Sequence, residues 1–240
     1  MNIIYTQYKH PSNNSKIFNF KLFILFILYT VHFFLSSSSV IFAQKTDIDP
    51  NGYNTFYFQN GNISSEGSLK KGKPIGYWKT YYDNGQIKSE GNRKNFLLDS
   101  IWKFYNNKGA LLDEINYIKN KKQGLSKLFD TNGCIKRESN YIENVKSGGE
   151  KVFFASGKIK YNNNYKQDKK DGVCYEFDNV GRIIKISEYT RGFLRSEEQI
   201  NRFDKEERKH GIWKEFHENG KVKWEGDFKH GILDGIVREY

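Results

Sequence analysis

Glycine returns along this chain at a fixed interval. Gly61, Gly85, Gly109, Gly133, Gly157 and Gly181 stand 24 residues apart, and Gly220 follows after 39, which is 24 plus 15. Nine positions ahead runs a second column, Gly52, Gly76, Gly124, Gly148, Gly172 and Gly211, in which Ser100 is the single exception. Two columns holding one period over most of the chain restrict it to a repeat architecture. The units are short, and each must stack on its neighbours to bury a core.

The residues between the glycines give the unit its form. Five positions past each unit start stand Tyr57, Tyr81, Tyr105, Phe129, Phe153, Phe177, Phe216 and Tyr240, all aromatic. Two positions past each turn glycine stand Ile63, Ile87, Leu111, Ile135, Ile159, Ile183 and Val222, all aliphatic and suited to a pleated, half-buried face. Between them, triplets such as Asp83-Asn84-Gly85 and Glu218-Asn219-Gly220 supply hairpin turns in which glycine takes positive φ. Each unit reads as strand, tight turn, strand, then a loop such as KKGKPI (70–75) or KQDKKD (166–171).

A lone hairpin is marginal in water, so the units are expected to pair edge to edge. The predicted fold is all-β, an elongated solenoid of stacked antiparallel β-hairpins over residues 52–240. At about 4.8 Å per strand, roughly fifteen strands would span about 70 Å if straight. Apolar residues make up 37% and aromatics 16% of the chain, which fits thin β-structure with a shallow core. Two hairpin registers fit the residues. A bulged turn sets Tyr81 opposite Ile87, whereas a two-residue turn sets Lys79 opposite Glu90. The aromatic column is expected to carry stability.

Two segments depart from the period. Residues 190–210 hold the fifteen extra positions, and Ile200 and Phe203 sit there among charges; an extra strand and a short helical excursion both fit. An insertion on a repeat scaffold can mark a binding face, so Phe193, Ile200 and Phe203 are candidate contacts. At the other end, residues 1–43 read as a secretory signal. Lys9, Lys16 and Lys21 precede or open an apolar run, small residues follow, and cleavage falls between Ala43 and Gln44. An uncleaved anchor formed by residues 22–43 is the alternative. Both place the remainder outside the cytoplasm, in the periplasm, the outer envelope or the medium, with 44–51 as a linker. Without the leader the net charge is +11 minus 3, or +8, which favours anionic partners.

The phrase formed by Gly76, Trp78, Tyr81, Asn84, Gly85, Glu90 and Gly91, repeated from Gly211 to Gly226, resembles the MORN repeat variant family. The resemblance implies a β-hairpin solenoid used for binding. Some bacterial proteins of this type are YwqK-family antitoxins, which implies a toxin partner as a second reading.

No constellation for catalysis emerges. His210, His217 and His230 lack metal-ligand spacing, and the glutamates of the repeat recur at one equivalent position, as structural pairing would have them. No cofactor is expected. Cys134 and Cys174 fall three strand spacings apart, about 14 Å, too far for a disulfide. Lys79, Lys103, Lys127, Lys151 and Lys214 share one position. They would form either a cationic stripe for an anionic envelope surface or acidic protein, or a solvated face relieved by the glutamate column. Nucleic acid is not an expected partner of an exported chain. The leading expectation is a non-enzymatic scaffold that binds a protein, glycan or membrane partner.

Overall fold

The computed structural model describes residues 47–240; the expected signal or anchor and the start of the linker lie outside the described residues. The described chain is all β. In order, the strands are β1 (Tyr53–Tyr57), β2 (Ile63–Lys70), β3 (Lys73–Tyr81), β4 (Ile87–Lys94), β5 (Leu97–Tyr105), β6 (Leu111–Ile118) and β7 (Lys121–Phe129). There follow β8 (Ile135–Ile142), β9 (Val145–Phe153), β10 (Ile159–Lys166), β11 (Lys169–Lys170), β12 (Gly172–Phe177), β13 (Ile183–Thr190) and β14 (Phe193–Gln199). These fourteen form one antiparallel sheet in which spatial order follows chain order. The last five, β15 (Arg202–Phe203), β16 (Lys209–Phe216), β17 (Val222–Lys229), β18 (Ile232–Leu233) and β19 (Arg238–Glu239), form a second sheet. Among the described residues, no helix is long and apolar enough to cross a membrane.

Both registers that the sequence left open coexist in each hairpin. At the glycine turn, Tyr82 N–H donates to Gln86 C=O at 2.8 Å and Gly85 N–H to Tyr82 C=O at 3.0 Å, with Gly85 at φ +83°. Tyr81 then faces Ile87, a shift follows, and Lys79 faces Glu90. The extra residue, Lys88, is a β-bulge, which lets the aromatic–aliphatic and the charged pair form in one ladder.

The stretches read as connecting loops are instead second hairpins. Lys71 and Gly72 (φ +51° and +72°), Lys119 and Asn120 (+50° and +66°) and Gln167 and Asp168 (+52° and +61°) are two-residue turns of the left-handed kind that matches strand twist. What misled the sequence reading is the second glycine column, that of Gly76. Gly76 (φ +67°) lies within β3 as a bulge between the pairs Gly67–Trp78 and Ser68–Ile75. Ser100 holds the same conformation at φ +63°, a region that costs an L-residue about 1–2 kcal/mol. Replacing Ser100 by Gly should therefore raise stability by about 0.5–1 kcal/mol once glycine's entropy is subtracted. Urea unfolding followed by circular dichroism reads the change, and Gly124→Ser should move the midpoint the other way.

Large side chains on one face of the sheet make the core. Leu69, Trp78 and Trp102 are buried, with Phe56, Leu98, Phe104 and Tyr117 packed on them. Trp78 and Trp102 each lie over a glycine of the preceding strand. A Cβ on Gly67 would come within 2.5 Å of the Trp78 ring, and one on Gly91 within 2.5 Å of the Trp102 ring. One unit further, the pair changes together to Ile115 opposite Ser126, and then to Ser139 opposite Glu150. Small faces large in every case.

The inserted segment joins the two sheets. Of the two expected forms it takes the strand, as β14 and β15, followed by a turn that spacing had concealed. Asp204 Oδ1 accepts the N–H groups of Glu206 and Arg208 while its Oδ2 accepts Arg208 Nε, repeating what Asp178 does with Val180 and Arg182. Glu207, at φ +58°, stands where the earlier turn has Gly181. Between β14 and β15 sit Ile200, fully buried, and Asn201 at φ +54°. The Asn201 amide joins the sheets, donating to Ile183 C=O at 2.9 Å and to Lys214 C=O at 3.1 Å and accepting Lys214 N–H at 2.7 Å.

Candidate binding surface

The face opposite the tryptophans carries the recurring Lys, Glu and Tyr positions. Strand pairing sets them in one file, Glu66, Lys79, Glu90, Lys103, Glu114, Lys127, Glu138 and Lys151, with opposite charges alternating. Lys127 lies 4.0 Å from Glu114, and in the second sheet Lys214 lies 3.4 Å from Glu225 and 2.9 Å from Glu198. Of the two sequence readings of the lysines, the file therefore has the geometry of the relieved face. A cation with a carboxylate on each side leaves little net field for an anionic partner.

The aromatic column crosses the same face. Tyr81 Oη donates to Glu66 at 2.5 Å and Tyr105 Oη to Glu90 at 2.7 Å, tying each unit to the one before. Tyr240 repeats the bond with Glu225 at 3.0 Å. Tyr81, Tyr105, Phe129, Phe153, Phe177 and Phe216 are half-buried, and Tyr57 and Tyr240 at the ends are exposed. Among the described residues the buried aromatics are instead tryptophans, Trp78, Trp102 and Trp213.

Burial, and then the neighbouring carboxylate, holds the Tyr81 and Tyr105 phenols well above their ordinary range; Tyr165, beside Glu150 on the other face, is pushed up to about 12. A phenol kept neutral in the fold but free to ionise near 10 when unfolded stabilises fully below that pH and less as pH rises through the folded value. Stability should thus fall above pH of about 10, with tyrosinate absorbance rising together with loss of the sheet signal. Tyr81→Phe with Tyr105→Phe should weaken that fall.

Beside the charged file runs a row that sequence reasoning missed. Tyr53, Tyr77, Ile101, Leu125 and Val173 project from successive first strands at 62, 50, 50, 42 and 36% exposure, with Gly149 in the gap. Across the ladder stand Asn92, Asn116, Asn140 and Asn164. The last three donate to the Gln123, Gly149 and Val173 carbonyls at 2.7–3.0 Å, which closes the bulges. A signal was present: every member of the row follows by one residue a position of the second column, Gly52, Gly76, Ser100, Gly124 or Gly172.

The inserted candidates separate. Phe193 is 69% exposed, Phe203 packs edge-on against Trp213 at 5.0 Å under the Arg182 guanidinium, and Ile200 is wholly enclosed. Ile200 is therefore corrected from contact residue to core, because at the junction of the two sheets it is fully buried, its N–H bonded to Ile184 C=O at 3.0 Å. Cys134 is exposed and Cys174 buried, and both are free thiols. Among the described residues, no group of three or more His, Cys, Asp or Glu side chains is placed to hold a metal.

The MORN repeat variant family matches residues 74–95 and 209–230. No curated protein matches the chain. The matched segments are the β3–β4 and β16–β17 hairpins, each with its glycine turn and its tryptophan, and these two hairpins are MORN repeat variants in sequence.

Proposed function

We propose that this is an exported, non-enzymatic scaffold that holds a protein partner on the face opposite the tryptophans. The observation that carries the reading is the row of Tyr53, Tyr77, Ile101, Leu125 and Val173, large apolar side chains left open on alternate strands β1, β3, β5, β7 and β12 of one sheet. Rows of this kind mark interaction sites when they are contiguous and rimmed by polar groups. Here the charged file is the rim on one side, and Asn92, Asn116 and Asn140 stand between the apolar side chains on the intervening strands. The leader supports export.

The test is capture from a native envelope extract by the full-length protein and by a Tyr77→Ser, Ile101→Ser, Leu125→Ser variant. A partner retained by the first and lost by the second, with equal urea midpoints, supports the reading. Equal capture by both would exclude this face. Full-length protein recovered from the cytoplasm alone would exclude export.

A further inference from the structure

The charge that the lysine file does not display gathers elsewhere. At the two-residue turns the chain reads KKGK (70–73), KNKK (119–122) and KQDKK (166–170), nine lysines against one aspartate. All nine are exposed except Lys122 and Lys170, whose ammonium groups lie 5.2 and 5.0 Å from the Tyr141 and Tyr189 ring centres and remain half open. The carboxylates nearby do not cancel them. Asp168 is engaged through Oδ1 by the Lys146 N–H at 2.7 Å, and Glu143, on an intervening turn, pairs only with Lys121 at 3.2 Å in an exposed, screened contact. The turn between the first two clusters follows Lys94, and the turn after the third carries Arg191. Lys166, Lys169, Asp171 and Arg191 line a depression of about 410 Å³.

All these turns lie on one rim, because every two-residue turn closes the same end of its strands. The clustered turns are four strands apart, about 19 Å, and together span about 38 Å. A sheet twisting by about 20–25° per strand rotates the rim by roughly 90° from one cluster to the next. A flat bilayer would meet one cluster at a time, whereas a flexible chain can follow all three. We propose that the rim of two-residue turns is a track for a linear polyanion, a polymer bearing repeated phosphate or carboxylate groups. The site is separate from the apolar row and does not rest on it.

Full-length protein titrated with long-chain polyphosphate and with polygalacturonate tests this, at salt of about 50 and about 200 mM. At least one polymer should bind, with affinity falling steeply as salt rises, and the preferred polymer identifies the source of the charge. Replacing Lys70, Lys73, Lys121, Lys166 and Lys169 by Gln should weaken binding at least tenfold and flatten the salt dependence. The matched Lys79→Gln, Lys103→Gln, Lys127→Gln variant should bind as the parent does. Oligomers too short to reach two clusters should bind more weakly than long chains. If the fivefold variant loses its sheet signal, K121Q and K169Q singly should each still lower affinity about threefold, some 0.65 kcal/mol. The inference is overturned by a folded protein that binds neither polymer at low salt, or by equal losses in the two sets of variants. Tighter binding to phosphatidylglycerol vesicles than to either polymer also overturns it.

Discussion

Trp102→Ala should remove about 3–5 kcal/mol of unfolding free energy. The indole is 2% exposed, donates Nε1–H to Asn92 C=O at 2.8 Å, packs on Phe104 and sits under the Arg93 guanidinium at 5.3 Å. Its seat exists because Gly91 has no side chain. Gly91→Ile alone should be comparably damaging, since even its Cβ would overlap the ring. The informative variant combines Gly91→Ile with Trp102→Ser, which copies the Ile115–Ser126 pair of the next unit. Its loss should be smaller than the sum of the single losses by about 1–3 kcal/mol, the range for residues in direct contact. Additive losses in urea unfolding would refute the idea that the two columns act as complementary halves of one site.

The second large effect lies at the junction of the two sheets. Asn201→Ala removes three side-chain hydrogen bonds that link β13 to β16, and it leaves alanine in a left-handed conformation that asparagine tolerates better. A loss of about 3 kcal/mol is expected from two or three part-buried bonds at about 1 kcal/mol each plus the backbone penalty. The location of the damage matters more than its size. Amide exchange should quicken across β16 and β17 while β2 to β6 keep their protection, because those strands make no contact with Asn201. Uniform loss of protection over both sheets would show that Asn201 is not the joint between them.

The 24-residue period made the sheet legible before any coordinates. Glycine turns, the aromatic at the strand end and the aliphatic beyond the turn all sit where the spacing of Tyr81, Gly85 and Ile87 put them. What stayed hidden has specific causes. Gly76 looks like a loop glycine because a bulge and a turn make the same demand for positive φ. The turn at Asp204 escaped notice because Glu207 fills the glycine position, although Phe203-Asp204 followed by Arg208 repeats Phe177-Asp178 followed by Arg182. Counting lysines by column located a repeated residue but not a field, since the column lies next to glutamates that only the register reveals. The rim charge is written openly in the same segments, KKGKPI and KQDKKD, whose composition fits a connector as well as a turn. The partner's shape is beyond a single chain's pattern, because nothing in a repeat records which of its faces is used.

Strand order in the large sheet coincides with chain order. Every ladder therefore closes between segments that leave the ribosome, or an export channel, one directly after the other. Such low contact order favours rapid folding, and it allows the structure to assemble vectorially, with each new hairpin templated on the edge of the last and no segment waiting for a distant one to arrive.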